Sequence, residues 1–213
     1  MPASRWPKFT WDANARQYRG ADGKFVPRVV VRQALDETIE SAKSDITRAS
    51  KQLQAGQVSL IEWQLRLEKS IKTIHVMSTA IAAGGWAQAT SADWSLAGNR
   101  IKDQYAWLER FARQIEDGLP LDGRFLNRAE SYARSGSGTY EKALRRIDVA
   151  SGLVTAERRV LHSGHPCSSC YAYHAAGWQS PGILPDVGEE CDCGSRCQCS
   201  FERRFAKASR KAG

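Results

Sequence analysis

The chain has 213 residues, 42% of them hydrophobic and 25% charged, which is enough for one sizeable domain, or a main domain with a small appendage, whose core does not depend on disulfides. Its 31 Lys and Arg against 23 Asp and Glu leave a net charge of +8, which suits an acidic protein face or nucleic acid as partner. No apolar run reaches the roughly 18 residues that span a bilayer, and polar Trp6-Pro7-Lys8 stands where a signal peptide would be apolar, so no membrane partner and a reducing, intracellular setting are expected.

Residues 1–29 are interrupted by Gly20, Gly23 and Pro27 and carry Trp6, Phe9, Trp11, Tyr18 and Phe25 among charges. Spaced aromatic anchors on an irregular polar segment suit a strap over a partner, or an arm folded onto its own domain. The basic surplus gathers here and in the tail 203–213. Trp6, Trp11, Arg16, Arg19, Arg203, Arg204, Lys207 and Arg210 are therefore the candidate contacts to a partner or to nucleic acid, against the alternative of a solubilising fringe.

Residues 30–151 read as a helical domain. Leu35, Ile39, Ala42, Ile46, Ala49 and Leu53 alternate steps of four and three, which lines one helix face up to Gly56. Ser59-Leu60-Ile61-Glu62 has the capping-box pattern and opens a second helix with the stripe Trp63, Leu67, Ile74, Met77 and Ile81, stopped by Gly84-Gly85. Glu62 with Arg66, and Glu68 with Lys72, are spaced for ion pairs on its exposed side. A third helix runs through Ile101, Tyr105, Leu108, Ala112 and Ile115 to Gly118. Two shorter ones are expected at 122–134 and 139–150, parted by a turn at Ser135-Gly136-Ser137-Gly138. The fold class expected is mainly α: an antiparallel bundle or long hairpin, followed by a small α+β cysteine-rich module over 152–202 with a β-like piece near 158–162.

All six cysteines fall in that module, as Cys167-Ser168-Ser169-Cys170 and the run Cys191-Asp192-Cys193-Gly194-Ser195-Arg196-Cys197-Gln198-Cys199. Two cysteine knuckles divided by a short loop are the arithmetic of a metal site, and zinc takes four thiolates tetrahedrally. Cys167, Cys170, Cys193 and Cys197 are the expected ligands of a structural Zn2+, with Cys191, Cys199 and His165 in reserve. His75, among apolar helix positions, reads as a core or partly exposed residue.

Three other chemistries fit less well. Pro166-Cys167-Ser168-Ser169-Cys170 matches half of a zinc-deaminase signature, but the upstream His-x-Glu is missing, because His75 is followed by Val76-Met77. Thiol redox chemistry at Cys167 and Cys170 lacks a surrounding βαβ pattern. A cysteine nucleophile with His162 or His165 would lose its thiolate to a metal within such a cluster. No catalytic residue is assigned, and no small-molecule substrate is expected.

The helical region, the stretches Tyr105-Ala106-Trp107-Leu108-Glu109-Arg110-Phe111-Ala112 and Arg128-Ala129-Glu130-Ser131-Tyr132-Ala133, and the terminal cysteines together resemble phage minor head proteins of the Mu-F-like head morphogenesis type. There a Cys-x-x-Cys precedes a Gly-containing loop and a closing Cys-Arg-Cys, which Cys167, Cys170, Gly177 and Cys197-Gln198-Cys199 approximate. The resemblance covers roughly 93–201. Gln198 replaces the arginine, and Cys191-Asp192-Cys193-Gly194 stands where a His-Pro element often precedes the last cysteines. The resemblance implies a non-enzymatic virion component inside the head near the portal, with portal and capsid proteins as partners and packaged DNA as a further candidate. The alternative is a zinc-dependent nucleic-acid-binding protein.

Overall fold

A computed structural model describes residues 8–12, 15, 17–194 and 197–206. Among them the chain is mainly helical, with small β elements at both ends. The first strands, β1 (Phe9–Asp12), β2 (Gln17–Gly20) and β3 (Phe25–Val26), form an antiparallel sheet in chain order. Four long helices follow: α1 (Arg28–Gln54), α2 (Leu60–Ala83), α3 (Ser91–Glu116) and α4 (Gly123–Ala150). The last part holds β4 (Val154–Val160), α5 (Ser168–Ala175) and β5 (Ser200–Phe205).

The four-three stripes become the core. Val31, Leu35, Ile39, Ala42, Ile46 and Ala49 of α1 are buried, as are Trp63, Leu67, Ile71, Ile74, Met77 and Ile81 of α2. Ser59 and Glu62 close the expected capping box, and Gly84 ends α2 in the left-handed conformation. Glu62 is thereby committed to the cap, and Arg66 donates to Gln52 Oε1 at 2.5 Å rather than serving Glu62 alone. A second box, Thr90 with Asp93, starts α3 well before the Ile101 stripe, so that helix is longer than its apolar periodicity suggests.

The expected break at 135–138 does not occur: α4 is continuous. Its small residues serve packing instead. A Cβ on Gly136 would lie 2.3 Å from Ile74 Cγ2 and 3.0 Å from Ser78 Oγ, so only glycine lets α4 approach α2 this closely. Beside it, buried His75 shares hydrogen bonds with Thr139 Oγ1 at 2.7 Å and Ser135 Oγ at 3.3 Å.

Two apolar clusters occupy the ends of the bundle. One centres on Trp63, Phe111, Phe125 and Tyr132, with Trp63 Nε1 donating to Ser50 Oγ at 3.0 Å. The other joins the amino-terminal sheet to α1, α2 and α4: Phe9 and Tyr18 pack with Val31, Leu35, Ile81, Tyr140 and Leu144. Residues 1–29 are thus, where described, an arm folded on its own domain. Tyr18 is buried and its hydroxyl donates to the Ala82 carbonyl, while Trp11 stacks edge-on against the Tyr18 ring. Gly84 presses against the Trp11 backbone at a distance no side chain would permit.

Candidate metal centre

β4 pairs antiparallel with β5, from Val160 opposite Ser200 to Val154 opposite Phe205, and this ribbon holds both ends of the cysteine module. Along β4 the inward positions carry charge: Glu157 and Arg159 are both fully buried. Glu157 meets Arg145 of α4, which also donates to Asp186 Oδ1 at 2.7 Å and the Leu184 carbonyl at 2.6 Å. Lys142 and Arg100 add ion pairs to Glu189. The loop before Cys191 is therefore fastened to the helical body by charge-assisted bonds rather than by apolar area.

Local turns then aim the thiols. Cys167 caps α5, which places Cys170 in its first turn. Asp192 accepts from Ser168 Oγ at 2.8 Å and its N–H donates to Ser169 Oγ at 2.9 Å, clasping the second knuckle onto the first. Those bonds from Ser168 and Ser169 hold the Asp192 carboxyl below its ordinary range. Gly194 donates to the Cys191 carbonyl and accepts from the Cys197 N–H, bending the run so that Cys197 returns to the cluster.

The six cysteines are free thiols. Cys170, Cys191, Cys193 and Cys197 have sulfurs all within 4.8 Å of one another. The nearest sulfurs are close: Cys191 to Cys193 at 3.4 Å, and Cys170 to both Cys193 and Cys197 at 3.6 Å. Four thiolates about 2.3 Å from one tetrahedral ion would be roughly 3.8 Å apart, so this group has the size of a metal cage. These four cysteines can bind a metal ion. Cys170, Cys193 and Cys197 were expected there; Cys191, a reserve, completes the group. Cys167 stands at its margin, 3.5 Å from Cys193. Cys199, the other reserve, is buried in the same cluster with Phe201, while His165 is not among the four.

The thiols are electrostatically unequal. Hydrogen bonding from Cys199, against the opposing effect of burial, draws Cys197 well below the usual thiol range. Burial pushes Cys167 up, but bonds from Ser169, Cys170 and Cys193 outweigh it and bring the thiol to about 6. Burial raises Cys170 and Cys193. The histidines nearby are otherwise engaged: His174 Nδ1 bonds the Arg159 carbonyl at 2.8 Å and His162 Nε2 bonds Ser200 Oγ at 2.7 Å.

The basic residues expected at a partner interface divide. Trp6, Arg16, Lys207 and Arg210 lie outside the described residues. Arg19 pairs with Asp12 at 2.7 Å. Arg203 is turned inward, with a buried ion pair to Asp148 at 2.9 Å, because the β5 register points it at α4. Arg204 lies 4.0 Å over the Trp178 ring, with Arg158 at 4.9 Å from the same ring. Sequence reasoning missed the buried Arg145, Glu157 and Arg159; for the last two the available signal was the run of charges Glu157-Arg158-Arg159 inside a β-like piece.

Among the described residues no helix is long and apolar enough to cross a membrane. No protein-family model, curated protein or solved structure matches this chain.

Proposed function

We propose that the chain is a non-catalytic component of a phage head, docking on portal or capsid protein in the head interior and aiding head assembly or genome delivery, with its C-terminal module stapled by zinc. The carrying observation is the closed, all-thiol donor set of Cys170, Cys191, Cys193 and Cys197. Structural zinc is ringed by four protein ligands, whereas catalytic zinc keeps a position open for water or substrate. The choice of zinc follows from its preference for thiolate cages of this size. The head role rests on the resemblance at Tyr105–Ala112, Arg128–Ala133 and the cysteines.

The test is twofold. Elemental analysis of protein purified without added metal is expected to find zinc, and chelation should erase amide protection in β4 and β5 while α1 to α4 stay helical. Co-sedimentation with the portal protein of the same virus should depend on the metal-loaded chain. Metal-free protein with an intact module refutes the staple; failure to bind portal and capsid protein alike refutes the head role.

The second reading, zinc-dependent nucleic-acid binding, is favoured by the Arg158–Trp178–Arg204 stack, since aromatic faces flanked by guanidinium groups suit bases and phosphates. Binding of that kind weakens steeply with salt as counterions are released. Retention on DNA that does not respond to salt, or its absence, removes this reading.

A further inference from the structure

One tetrahedral ion leaves two of the six thiols unused, yet all six lie in one cluster. Cys170, Cys191, Cys197 and Cys199 are buried together, with Cys167 and Cys193 packed against them. Their contacts are not uniform. Cys167 meets Cys193 at 3.5 Å, Cys191 meets Cys193 at 3.4 Å, and Cys170 meets Cys193 and Cys197 at 3.6 Å. The Cys170 sulfur also lies within 4.8 Å of that of Cys191, and the Cys193 sulfur within 4.8 Å of that of Cys197. Cys170 and Cys193 therefore touch each other, and between them they touch Cys167, Cys191 and Cys197.

Two tetrahedra sharing an edge place two bridging sulfurs in mutual contact at the centre with the outer sulfurs around them, and Cys170 and Cys193 hold that central position, with Cys199 buried in the same cluster. Resting on the reading of this cluster as a metal site, we propose that the six cysteines hold two divalent, thiol-preferring ions, with Cys170 and Cys193 bridging both and Cys167, Cys191, Cys197 and Cys199 as outer ligands. Six thiolates and two divalent ions carry a net charge of −2. Beside the cluster lies Arg159, fully buried, stacked on Tyr173 and Phe201, with Nε and Nη1 lacking a hydrogen-bond partner. Phe201 itself packs with the cysteines, so this unneutralised guanidinium sits where a compact anionic centre would offset its charge. A site of this kind also explains why an ordered module can form around few large apolar side chains, because ligand binding energy becomes folding energy.

The experiment counts metal and thiols on the full chain. Protein produced with ample zinc and desalted without chelator is analysed by native mass spectrometry and elemental analysis, and then alkylated with iodoacetamide before and after EDTA. Two ions per chain, with all six thiols protected until EDTA is added, is the expected result. One ion per chain, with Cys167 alkylated at once, overturns the proposal and leaves a single-ion site standing. Cys167 is informative because it is only partly buried. No bound metal overturns both readings. A Cys167→Ser/Cys199→Ser double variant is expected to retain one ion; a variant that still binds two overturns the ligand assignment. The wild-type count stands whether or not that variant folds.

Discussion

Replacing Gly136 by alanine sets two effects of known sign against each other. Within a helix the substitution gains about 1 kcal/mol of intrinsic propensity. At Gly136, however, the new Cβ falls 2.3 Å from Ile74 Cγ2 and 3.0 Å from Ser78 Oγ, and the first contact is with a buried β-branched side chain that has no room to yield. Overpacking of this kind costs about 1–3 kcal/mol, and a contact this short belongs at the upper end. The net expectation is a loss of about 1–2 kcal/mol, or a fall in melting temperature of roughly 2–8 °C for a chain of this size. Gly98→Ala supplies the control: Gly98 is exposed in α3 with nothing within 4 Å of its would-be Cβ, so it should gain most of the propensity term. Urea titrations of both variants, and of Gly136→Ala in an Ile74→Ala background, give the comparison. The penalty at Gly136 should shrink once Ile74 is truncated. A Gly136→Ala protein as stable as Gly98→Ala would refute the close α2–α4 approach.

Two further outcomes are expected. Burial, aided by the Arg100 charge, lowers His75 from 6.5 to about 3. The unfolded chain therefore binds the proton preferentially, and stability present above pH 6.5 is lost as pH falls towards 3, by roughly 4–5 kcal/mol in full. The slope of the urea midpoint against pH over that window should flatten in His75→Gln, and an unchanged slope would sink the assignment. Arg203→Met leaves the Asp148 carboxylate buried without its partner, which should cost about 3–5 kcal/mol at neutral pH. Burial already raises the Asp148 pKa, so its protonation should reduce that cost at pH 5; equal losses at both pH values, measured by thermal melts, would show the pair to be unimportant.

The helices were legible because their information is local. The stripes of α1 and α2, and the Ser59–Glu62 box, are written in spacings that survive whatever packs on them. The Ser-Gly-Ser-Gly stretch was misread for the opposite reason: small residues signal a turn to the local chain but a helix contact to Ile74, and only the tertiary partner decides. The same holds for Arg203, whose inward direction is set by the register of β5 against β4 and by Asp148 on a different element. At the cysteine site, spacing identified the cluster and three of its four mutually close members. Spacing does not single out Cys191, because its position depends on the clasp between Asp192 and the Ser168–Ser169 turn.

The pairing of Phe9 and Tyr18 with Tyr140 and Leu144 has a consequence for synthesis on the ribosome. These aromatic side chains emerge first, yet part of the surface that covers them lies about 120 residues later, which at ordinary translation rates is a delay of roughly 6–24 s. During that interval Val31, Leu35 and Ile81 offer only part of the cover. The amino-terminal sheet must therefore wait for α4, and the nascent chain should be most in need of chaperone protection over that span.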